Sequence, residues 1–386
     1  MAKDIPNELL TDIPQVPGEL FAPIGNKKIK QKVELFCKFV EENHDKRFCI
    51  CSHDNPDPDS IAAASGMSWI LQFLDVENVE MVYCGEISHP QNRTMLNILD
   101  IPMKPWSKVE NFYNDHQKET VFIYVDCSNN TQKNMSIRFQ PNMVLDHHKA
   151  TANKNALVIN DEVGAASTLI TDLALSITKQ GETKILSCFD TNEEGLKSLA
   201  TALAIGIKTD TLDFRSESTT EDDFRAYKLL SRVLSDDKFH SVINYELPPY
   251  IFDAEKLAWD NKNETYSPNL VSGLGYLEST QSDCIPYLAD KMMRIKGVQT
   301  VVIYAIIIDE NVIRASIRTV SSSLDIQQLS NYVFGEDNGG GKQGCGGAIV
   351  KFNVFNVADI DDDSKTSLWN LVQKQISQKF NKITQK

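Results

Sequence analysis

The chain has 386 residues, of which 41% are hydrophobic and 24% charged, and a chain of this length favours two domains. Its 39 basic and 53 acidic residues give a formal net charge of −14. This balance disfavours binding along a long nucleic acid, which depends mainly on Lys and Arg contacts with phosphates. We expect a cytoplasmic protein without a signal peptide or membrane span, whose eight scattered cysteines are reduced.

The N-terminal half alternates short β-rich runs with helical stretches. Strands are predicted at Arg47–Cys51, Glu80–Cys84, Thr120–Val125, Asn142–Leu145 and Ala156–Ile159, and helices at Ala62–Phe73, Thr168–Lys179 and Glu194–Ile207. This alternation predicts an α/β fold with a doubly wound, mostly parallel sheet. Four segments follow along the chain: an arm at 1–27, a first domain at 28–234, an extended linker at 235–253 around Pro248 and Pro249, and a smaller α/β domain at 254–386.

Acidic and imidazole side chains recur after the predicted apolar runs of the first domain. They are His53, Asp57, Asp59, Asp126, Asp146, His147, His148 and Asp210. A single Asp in such a place is more often a helix N-cap or a turn residue. Repetition at the carboxyl ends of predicted strands, where open α/β sheets bind ligands, instead predicts one shared site. Carboxylates with a few imidazoles suit hard divalent cations such as Mn²⁺ or Mg²⁺.

Two further regions carry groups that suit phosphate. His89 and Arg93 follow the second predicted strand, where they either contact a phosphate or belong to a surface turn that opens a helix at Pro90. Ser316 and Arg318 share one face of a predicted strand at Val312–Thr319. A glycine run with a lysine follows: Gly339, Gly340, Gly341 and Lys342. Glycine backbones can approach an anion closely and Arg can bind it with two N–H groups, although a flexible surface loop and an ordinary exposed Arg remain alternatives.

Taken together, these motifs resemble the DHH phosphoesterase superfamily, which includes RecJ-type exonucleases, nanoRNases and manganese pyrophosphatases. The resemblance spans residues 30–215, and the Arg-bearing strand with its glycine run is similar to the DHH-associated C-terminal domain. The family usually has a histidine after these glycines, where this chain has Lys342. The resemblance implies that the first domain is the metal-binding catalytic domain and that the second binds substrate.

The resemblance also implies a role for each site residue. One metal ion would be held by His53, Asp57 and Asp126, and a second by Asp59, Asp126, His147 and Asp210. The ions would be Mn²⁺, with Mg²⁺ or Co²⁺ as substitutes. His148 would face the phosphate or leaving group, and Asp146 would orient a histidine, so that Asp126, Asp146 and His148 form the catalytic group. The implied substrate contacts are His89, Arg93, Ser316, Arg318, Gly339, Gly340, Gly341 and Lys342.

The resemblance, combined with the acidic composition, predicts an Mn²⁺-dependent phosphoesterase for short substrates, either di- to oligonucleotides or a nucleoside 3′,5′-bisphosphate. Such a protein needs neither a membrane nor long duplex nucleic acid as a partner, and a homodimer is compatible with the sequence. The alternatives are a RecJ-like exonuclease on single-stranded DNA, a cyclic dinucleotide phosphodiesterase, a pyrophosphatase and a non-catalytic nucleotide-binding protein.

Overall fold

A computed structural model describes residues 27–87, 89–127, 136–148, 155–177, 194–263, 267–321, 324–336, 338–342 and 344–384. These residues form two compact units. The first contains the described residues up to Gly85 and those from Leu99 to Phe239, and the second contains Glu86–Ile98 and the described residues from His240 onward. No helix within these ranges combines the length and the apolar composition that a membrane crossing needs.

The first unit is built on a six-stranded parallel sheet. In chain order its strands are β1 (Arg47–Cys51), β2 (Val79–Tyr83), β3 (Met103–Pro105), β4 (Thr120–Val125), β5 (Met143–Asp146) and β6 (Leu157–Asn160). Their order across the sheet is β3-β2-β1-β4-β5-β6, with every pair parallel. Every residue of β4 is buried, as its β-branched and aromatic composition predicts for a central parallel strand. The predicted doubly wound α/β fold is confirmed.

Helices cover this sheet and carry part of the site. They are α1 (Lys27–Glu42), α2 (Pro58–Phe73), α4 (Glu110–Asp115), α5 (Ala166–Ser176), α6 (Glu194–Asp210) and α7 (Glu221–Leu230), while α3 (Pro90–Ile98) belongs to the second unit. Helix α6 packs against α2 and α5. A side chain at Gly206 of α6 would collide with Ser167 and would come within 3.0 Å of Oδ1 of Asp59. Glycine at this position therefore lets α6 approach a predicted metal ligand closely.

The second unit contains a mixed five-stranded sheet. Its strands are β7 (Asn269–Leu277), β8 (Thr300–Ile307), β9 (Val312–Thr319), β10 (Gly339–Lys342) and β11 (Cys345–Lys351), in the order β10-β11-β9-β8-β7. Only the β7–β8 pair is parallel among these neighbours. Helices α9 (Pro249–Asp260) and α10 (Cys284–Met292) share one apolar core with alternate residues of β8. Helices α11 (Ile326–Phe334) and α12 (Asp362–Thr384) share another with the remaining residues of that strand.

Three local predictions were wrong. Asp210 ends the helix α6 and does not follow a strand, because the preceding Ala- and Leu-rich run is helical. The predicted extended linker is largely helical: α8 spans Asp236–Ile243 and Pro249 begins α9, a position where a proline loses no hydrogen bond. The glycine run is not an open loop, since Gly339–Lys342 forms strand β10 and pairs with β11.

Candidate metal centre and arginine cluster

The predicted metal-binding residues meet where the strands of the parallel sheet end. His53 follows β1, Asp126 follows β4, and His147 follows β5, so neighbouring parallel strands deliver all three to one edge. Within the part of the chain that the structure describes, three sets of side chains have ligand atoms within 4.8 Å of one another: His53, Asp57 and Asp126; Asp59, His147 and Asp210; and Asp126, His147 and His148. The structure thus brings together all six predicted ligands, together with His148.

Asp126 lies at the centre of this group. Its side chain is 3% exposed, with Oδ2 3.4 Å from Nε2 of His53 and Oδ1 3.3 Å from Nε2 of His147. Its backbone is left-handed, with φ of 57°, a conformation that Asp tolerates better than most residues. The Asp126 N–H donates to the carbonyl of Leu145 at 2.9 Å. This bond to β5 holds the carboxylate between the two imidazoles.

Backbone carbonyls determine which ring nitrogen carries the hydrogen in both histidines. Nδ1 of His53 lies 2.9 Å from the carbonyl of Asp54, and Nδ1 of His147 lies 3.0 Å from that of Val163. Because a carbonyl can only accept, we assign the hydrogen of each neutral ring to Nδ1. Nε2 then keeps its lone pair, which is the arrangement of a metal-binding histidine whose other nitrogen is held by the protein.

Two of the aspartates also have helix-capping roles. Oδ1 of Asp57 accepts the Ser60 N–H at 3.0 Å and so caps α2, while Oδ2 lies 3.8 Å from Nε2 of His53. Both oxygens of the buried Asp59 accept N–H groups at the start of α5, from Ala166 at 2.6 Å and Ser167 at 2.9 Å. The common role of Asp as a cap and a place in the cluster therefore coincide here.

The cluster fits a hard divalent cation. Among the described residues, Oδ1 of Asp126 and Nε2 of His147 are buried without a hydrogen-bond partner. A buried polar atom left in that state costs about 1–3 kcal/mol. Both atoms lie among carboxylate oxygens and an imidazole, which are the donor types that Mn²⁺ and Mg²⁺ accept. A bound cation would give both atoms a partner.

The neighbouring carboxylates favour protonation of both histidines. Burial lowers the pKa of His147, but Asp126 and its neighbouring carboxylates outweigh that effect and raise it to about 10. Burial likewise opposes the rise in the pKa of His53, which Asp126 drives well above its usual range. The pKa of Asp59 is raised by burial first and then by Asp126 and Asp210. A cation must therefore displace protons from these groups.

His148 is held by its neighbour Asp146. Oδ1 of the buried Asp146 lies 2.8 Å from Nδ1 of His148 and accepts the backbone N–H of His148 at 3.1 Å. Nδ2 of Asn160 donates to the carbonyls of Asp146 at 2.6 Å and His148 at 2.7 Å. The prediction that Asp146 orients a histidine agrees with this contact. Asn160 was not predicted, since an Asn at the end of a strand has no distinctive sequence pattern.

The four predicted substrate residues outside the glycine run all belong to the second unit. Arg318 donates to Ser316 Oγ at 3.0 Å, so the two share a face of β9 as predicted. The ring of His89 packs edge-on against Tyr245, with centroids 5.6 Å apart. Burial, opposed in part by Asp290, lowers the pKa of His89 to about 4. His89 is therefore a neutral imidazole near neutral pH.

Two aspartates that were not predicted bind these arginines. Arg93 pairs with the buried Asp283, which also accepts the Tyr250 hydroxyl hydrogen at 2.8 Å. Arg318 pairs with Asp290 at 2.5 Å. The sequence pattern does not mark either aspartate, because Asp283 is 190 residues from its partner and Asp290 is 28 residues away. We call Arg93, Asp283, Asp290, Ser316 and Arg318 the arginine cluster.

The glycine run packs against α11. A side chain at Gly339 would collide with Ser330, and one at Gly341 with Ile326. The Gly341 N–H donates to Oε1 of Gln327 at 3.2 Å. These glycines are thus required for strand–helix packing, whereas their contact with substrate, like that of Gly340, stays a prediction. The side chain of Lys342 lies outside the described part of the chain.

Comparison with known proteins agrees with this geometry. Residues 47–207 match the family model "DHH family, N-terminal domain". The matched segment is similar to a DHH-family N-terminal domain. It contains every predicted ligand except Asp210, which lies three residues beyond the match. The predicted resemblance to the DHH superfamily is confirmed for this part of the chain, while the DHH-associated C-terminal domain stays a prediction.

Two further matches cover most of the chain. An uncharacterized protein of Methanocaldococcus jannaschii is 27% identical over 360 residues, which is 92% of this chain and 67% of the relative. The crystal structure of an exopolyphosphatase-related protein from Bacteroides fragilis has a TM-score of 0.64 at 15% identity, covering 90% of this chain and 96% of its own. At that identity the likeness shows the fold alone.

Proposed function

We propose that the protein is a divalent-metal phosphoesterase acting on short phosphoester substrates, either di- to oligonucleotides or a nucleoside 3′,5′-bisphosphate. One observation carries the proposal: six carboxylate and imidazole side chains meet at one edge of the parallel sheet, in a segment similar to a DHH-family domain. Two of their potential metal-ligand atoms, Oδ1 of Asp126 and Nε2 of His147, are buried and have no hydrogen-bond partner among the described residues. Such a cluster is unfavourable without a cation and has the ligand types of a phosphoryl-transfer site.

The residues of the first unit would divide the chemistry between them. His53, Asp57 and Asp126 would hold one ion, and Asp59, Asp126, His147 and Asp210 the other, with Mn²⁺ as the favoured metal. Bound cations of this kind supply an activated water and neutralise charge on phosphoryl oxygens. The protein keeps Nε2 of both histidines directed at the cluster, through carbonyl contacts at their Nδ1 atoms.

His148 would act on the leaving group. Asp146 occupies its Nδ1, so Nε2 is the atom that remains to hydrogen-bond a phosphoryl or leaving oxygen. In the protonated imidazole, Nε2 can donate a proton to that oxygen as the ester bond breaks. Because one Asp146 oxygen binds both the ring and the backbone N–H of His148, the ring has little freedom to turn away.

The second unit would recognise the substrate's phosphate. Arg318 and Arg93 supply positive charge, and Ser316 and the neutral His89 supply hydrogen bonds. The net charge of −14 favours a short ligand held by a few such groups over a long strand held along a basic surface.

Product analysis tests the proposal. The purified protein with Mn²⁺ would be given a 5′-phosphorylated diribonucleotide, longer RNA and DNA oligomers, a cyclic dinucleotide, a nucleoside 3′,5′-bisphosphate and pyrophosphate, and the products would be separated by ion exchange. We expect the fastest release of mononucleotide from the dinucleotide or bisphosphate, abolished by Asp126→Ala. The exposed Asp45→Ala serves as the matched control and should retain full activity.

The same panel separates the alternatives. Preferred degradation of long single-stranded DNA would favour the exonuclease and contradict the short-substrate proposal. Preferred cleavage of the cyclic dinucleotide or pyrophosphate would replace the proposed substrate with that one. No hydrolysis of any member with added Mn²⁺ would contradict an enzymatic function and favour a nucleotide-binding protein.

A further inference from the structure

Helix α10 presents two aspartates to the two predicted phosphate-binding arginines. Asp283 precedes the helix and Asp290 lies seven residues later, which is about two helical turns and places both on one side. Asp283 binds Arg93 and Asp290 binds Arg318. The guanidinium group of each arginine therefore already has a carboxylate partner.

Arg318 has almost no N–H group left for a ligand. Its Nε donates to Oδ1 of Asp290 at 2.5 Å and its Nη2 donates to Oδ2 at 3.3 Å. Its Nη1 donates to Oγ of Ser316 and to the carbonyl of Ile317, both at 3.0 Å. These four bonds use four of the five N–H groups of a guanidinium. The carboxylate of Asp290 occupies the Nε–Nη2 edge that a phosphate would use for a bidentate contact.

The two aspartates differ in how easily they can leave. Asp283 is 1% exposed, and both of its oxygens lie 2.8 Å from the Tyr250 hydroxyl, so release would bury a carboxylate that has lost its cation. The side chain of Asp290 is 52% exposed. A rotation into water would leave Asp290 hydrated. The side chain of Arg318 is only 23% exposed, so an arriving phosphate would have to replace Asp290 as the partner of its charge. Arg318 is thus the arginine that can exchange partners.

We propose that Asp290 is a built-in competitor for Arg318, which a phosphate-bearing ligand must displace in order to bind and which reclaims Arg318 when that ligand leaves. This inference rests on the proposed function, because it assigns to Asp290 the control of affinity at the same phosphate-binding arginine. The exchange conserves ion pairs: one carboxylate–guanidinium pair is replaced by one phosphate–guanidinium pair. The consequence is weaker binding of substrate and of mononucleotide product alike, and faster product release.

Binding of a product measures this competition without turnover. The Mn²⁺-supplied protein would be titrated with adenosine 5′-monophosphate by isothermal titration calorimetry. We expect Asp290→Asn to tighten Kd by about twofold to fivefold, since the competing ion pair is lost. We also expect a steeper dependence of Kd on salt in this variant, because binding would then create an ion pair where none existed. Glu255→Gln, which breaks the ion pair of Glu255 with Lys291 of α10, is the matched control and should leave Kd unchanged.

A double-mutant cycle separates competition from a structural effect. Arg318→Lys keeps the positive charge but lacks the planar guanidinium that forms two hydrogen bonds with one carboxylate or phosphate. Asp290→Asn should therefore have a much smaller effect on Kd in that background. Equal tightening in both backgrounds, unchanged binding in Asp290→Asn, or weaker binding would each overturn the proposal, the last because Asp290 would then position Arg318. Absence of adenosine 5′-monophosphate binding in every variant would overturn it as well.

The outcome can be told apart from failure of the proposed function. A protein that shows the expected binding pattern but hydrolyses nothing would contradict the phosphoesterase and leave the competition intact. Hydrolysis with an unchanged Kd in Asp290→Asn would contradict only the competition. Steady-state kinetics give a second readout, in which loss of the competing carboxylate in Asp290→Asn should lower KM and make product inhibition stronger.

Discussion

At the scale of single residues, the neighbours Asp146 and His148 divide their tasks through hydrogen bonding. Asp146 is buried and its Oδ1 lies 2.8 Å from Nδ1 of His148, whereas the side chain of His148 is partly exposed. The buried carboxylate fixes the tautomer and the ring, and under the proposed function the partly exposed ring would contact the substrate. An amide at position 146 would keep the size of the side chain but lose the negative charge that faces Nδ1 of His148.

We therefore predict that Asp146→Asn lowers kcat by about a hundredfold, the lower range for loss of an oriented general acid or base, with little change in KM. Steady-state kinetics on the best substrate of the panel give both constants. In a His148→Gln background the Asp146→Asn substitution should add little, because the ring it orients is gone. A full hundredfold loss in that background would mean that Asp146 acts through another group.

The residues of the candidate metal centre could be predicted to lie together because their spacing is local. His53, Asp57 and Asp59 lie within one loop and helix start, and Asp126 and His147 directly follow predicted strands. Asp290 could not be predicted in this way, since its role depends on how α10 packs beside β9. A lone Asp on a helix surface looks the same in sequence whether its partner is solvent or an arginine.

At the scale of elements, the end of α6 is built from unusual backbone. Leu212, Asp213 and Phe214 all have left-handed φ values, of 51°, 58° and 62°, in a conformation that costs roughly 1–2 kcal/mol for each such residue. The Asp213 N–H donates to the carbonyl of Lys208 at 2.8 Å, and Phe214 stacks on Phe224 at 4.7 Å. These contacts hold a turn that begins two residues after Asp210. Strain of this kind is frequent next to functional sites.

Relief of that strain gives a testable effect on stability. The side chain of Leu212 is 62% exposed, so Leu212→Gly loses little packing and removes the clash of a Cβ with left-handed backbone. We predict that the free energy of unfolding rises by about 1 kcal/mol, as measured by urea denaturation. Leu371→Gly, at a residue 57% exposed within α12, is the control and should lower it by about 1 kcal/mol. Destabilisation by both substitutions would show that the Leu212 turn is not strained.

The type of an element could be predicted where burial determines its amino-acid composition. It was missed where pairing with a neighbouring strand determines the structure. The central strands β1 and β4 are runs of β-branched and aromatic residues, so their positions match the prediction. Glycines carry no such signal: Gly339–Lys342 could be a loop or a strand, and its pairing with β11 made it a strand. Asp210 was misplaced although Glu194–Ile207 was predicted as a helix, because Asp210 was grouped with the carboxylates that follow strands.

At the scale of the whole molecule, the two compact units do not follow the order of the chain. Residues 86–98, including His89 and Arg93, belong with the C-terminal half rather than with the sheet that precedes them. Their position in the chain predicts that they belong to the first domain, because neighbouring residues usually share a domain. The structure thus gives the second unit all four of the predicted substrate side chains outside the glycine run.

A buried acid in the first unit makes global stability depend on pH. Asp172 of α5 is 2% exposed, and neither of its oxygens has a hydrogen-bond partner in the described ranges. Burial is the main cause that raises its pKa to about 7 from the ordinary 3.8, with Arg225 opposing and Asp223 adding to the rise. The folded protein therefore keeps this proton at pH values where the unfolded chain has released it.

The proton on Asp172 contributes fully to the free energy of unfolding below about pH 4. This contribution is lost as the pH rises to about 7. The shift of about three pKa units is equivalent to about 4 kcal/mol at most. Asp172→Asn removes the titration while keeping the shape, so we predict that the variant matches the native protein at pH 4.5 to within about 1 kcal/mol. At pH 8 it should be more stable by about 2–4 kcal/mol, as measured by urea denaturation at both pH values. The exposed Asp115→Asn is the control and should not change the difference between the two pH values. If Asp172→Asn also left the difference in stability between the two pH values unchanged, Asp172 would have to be charged and paired in the folded protein.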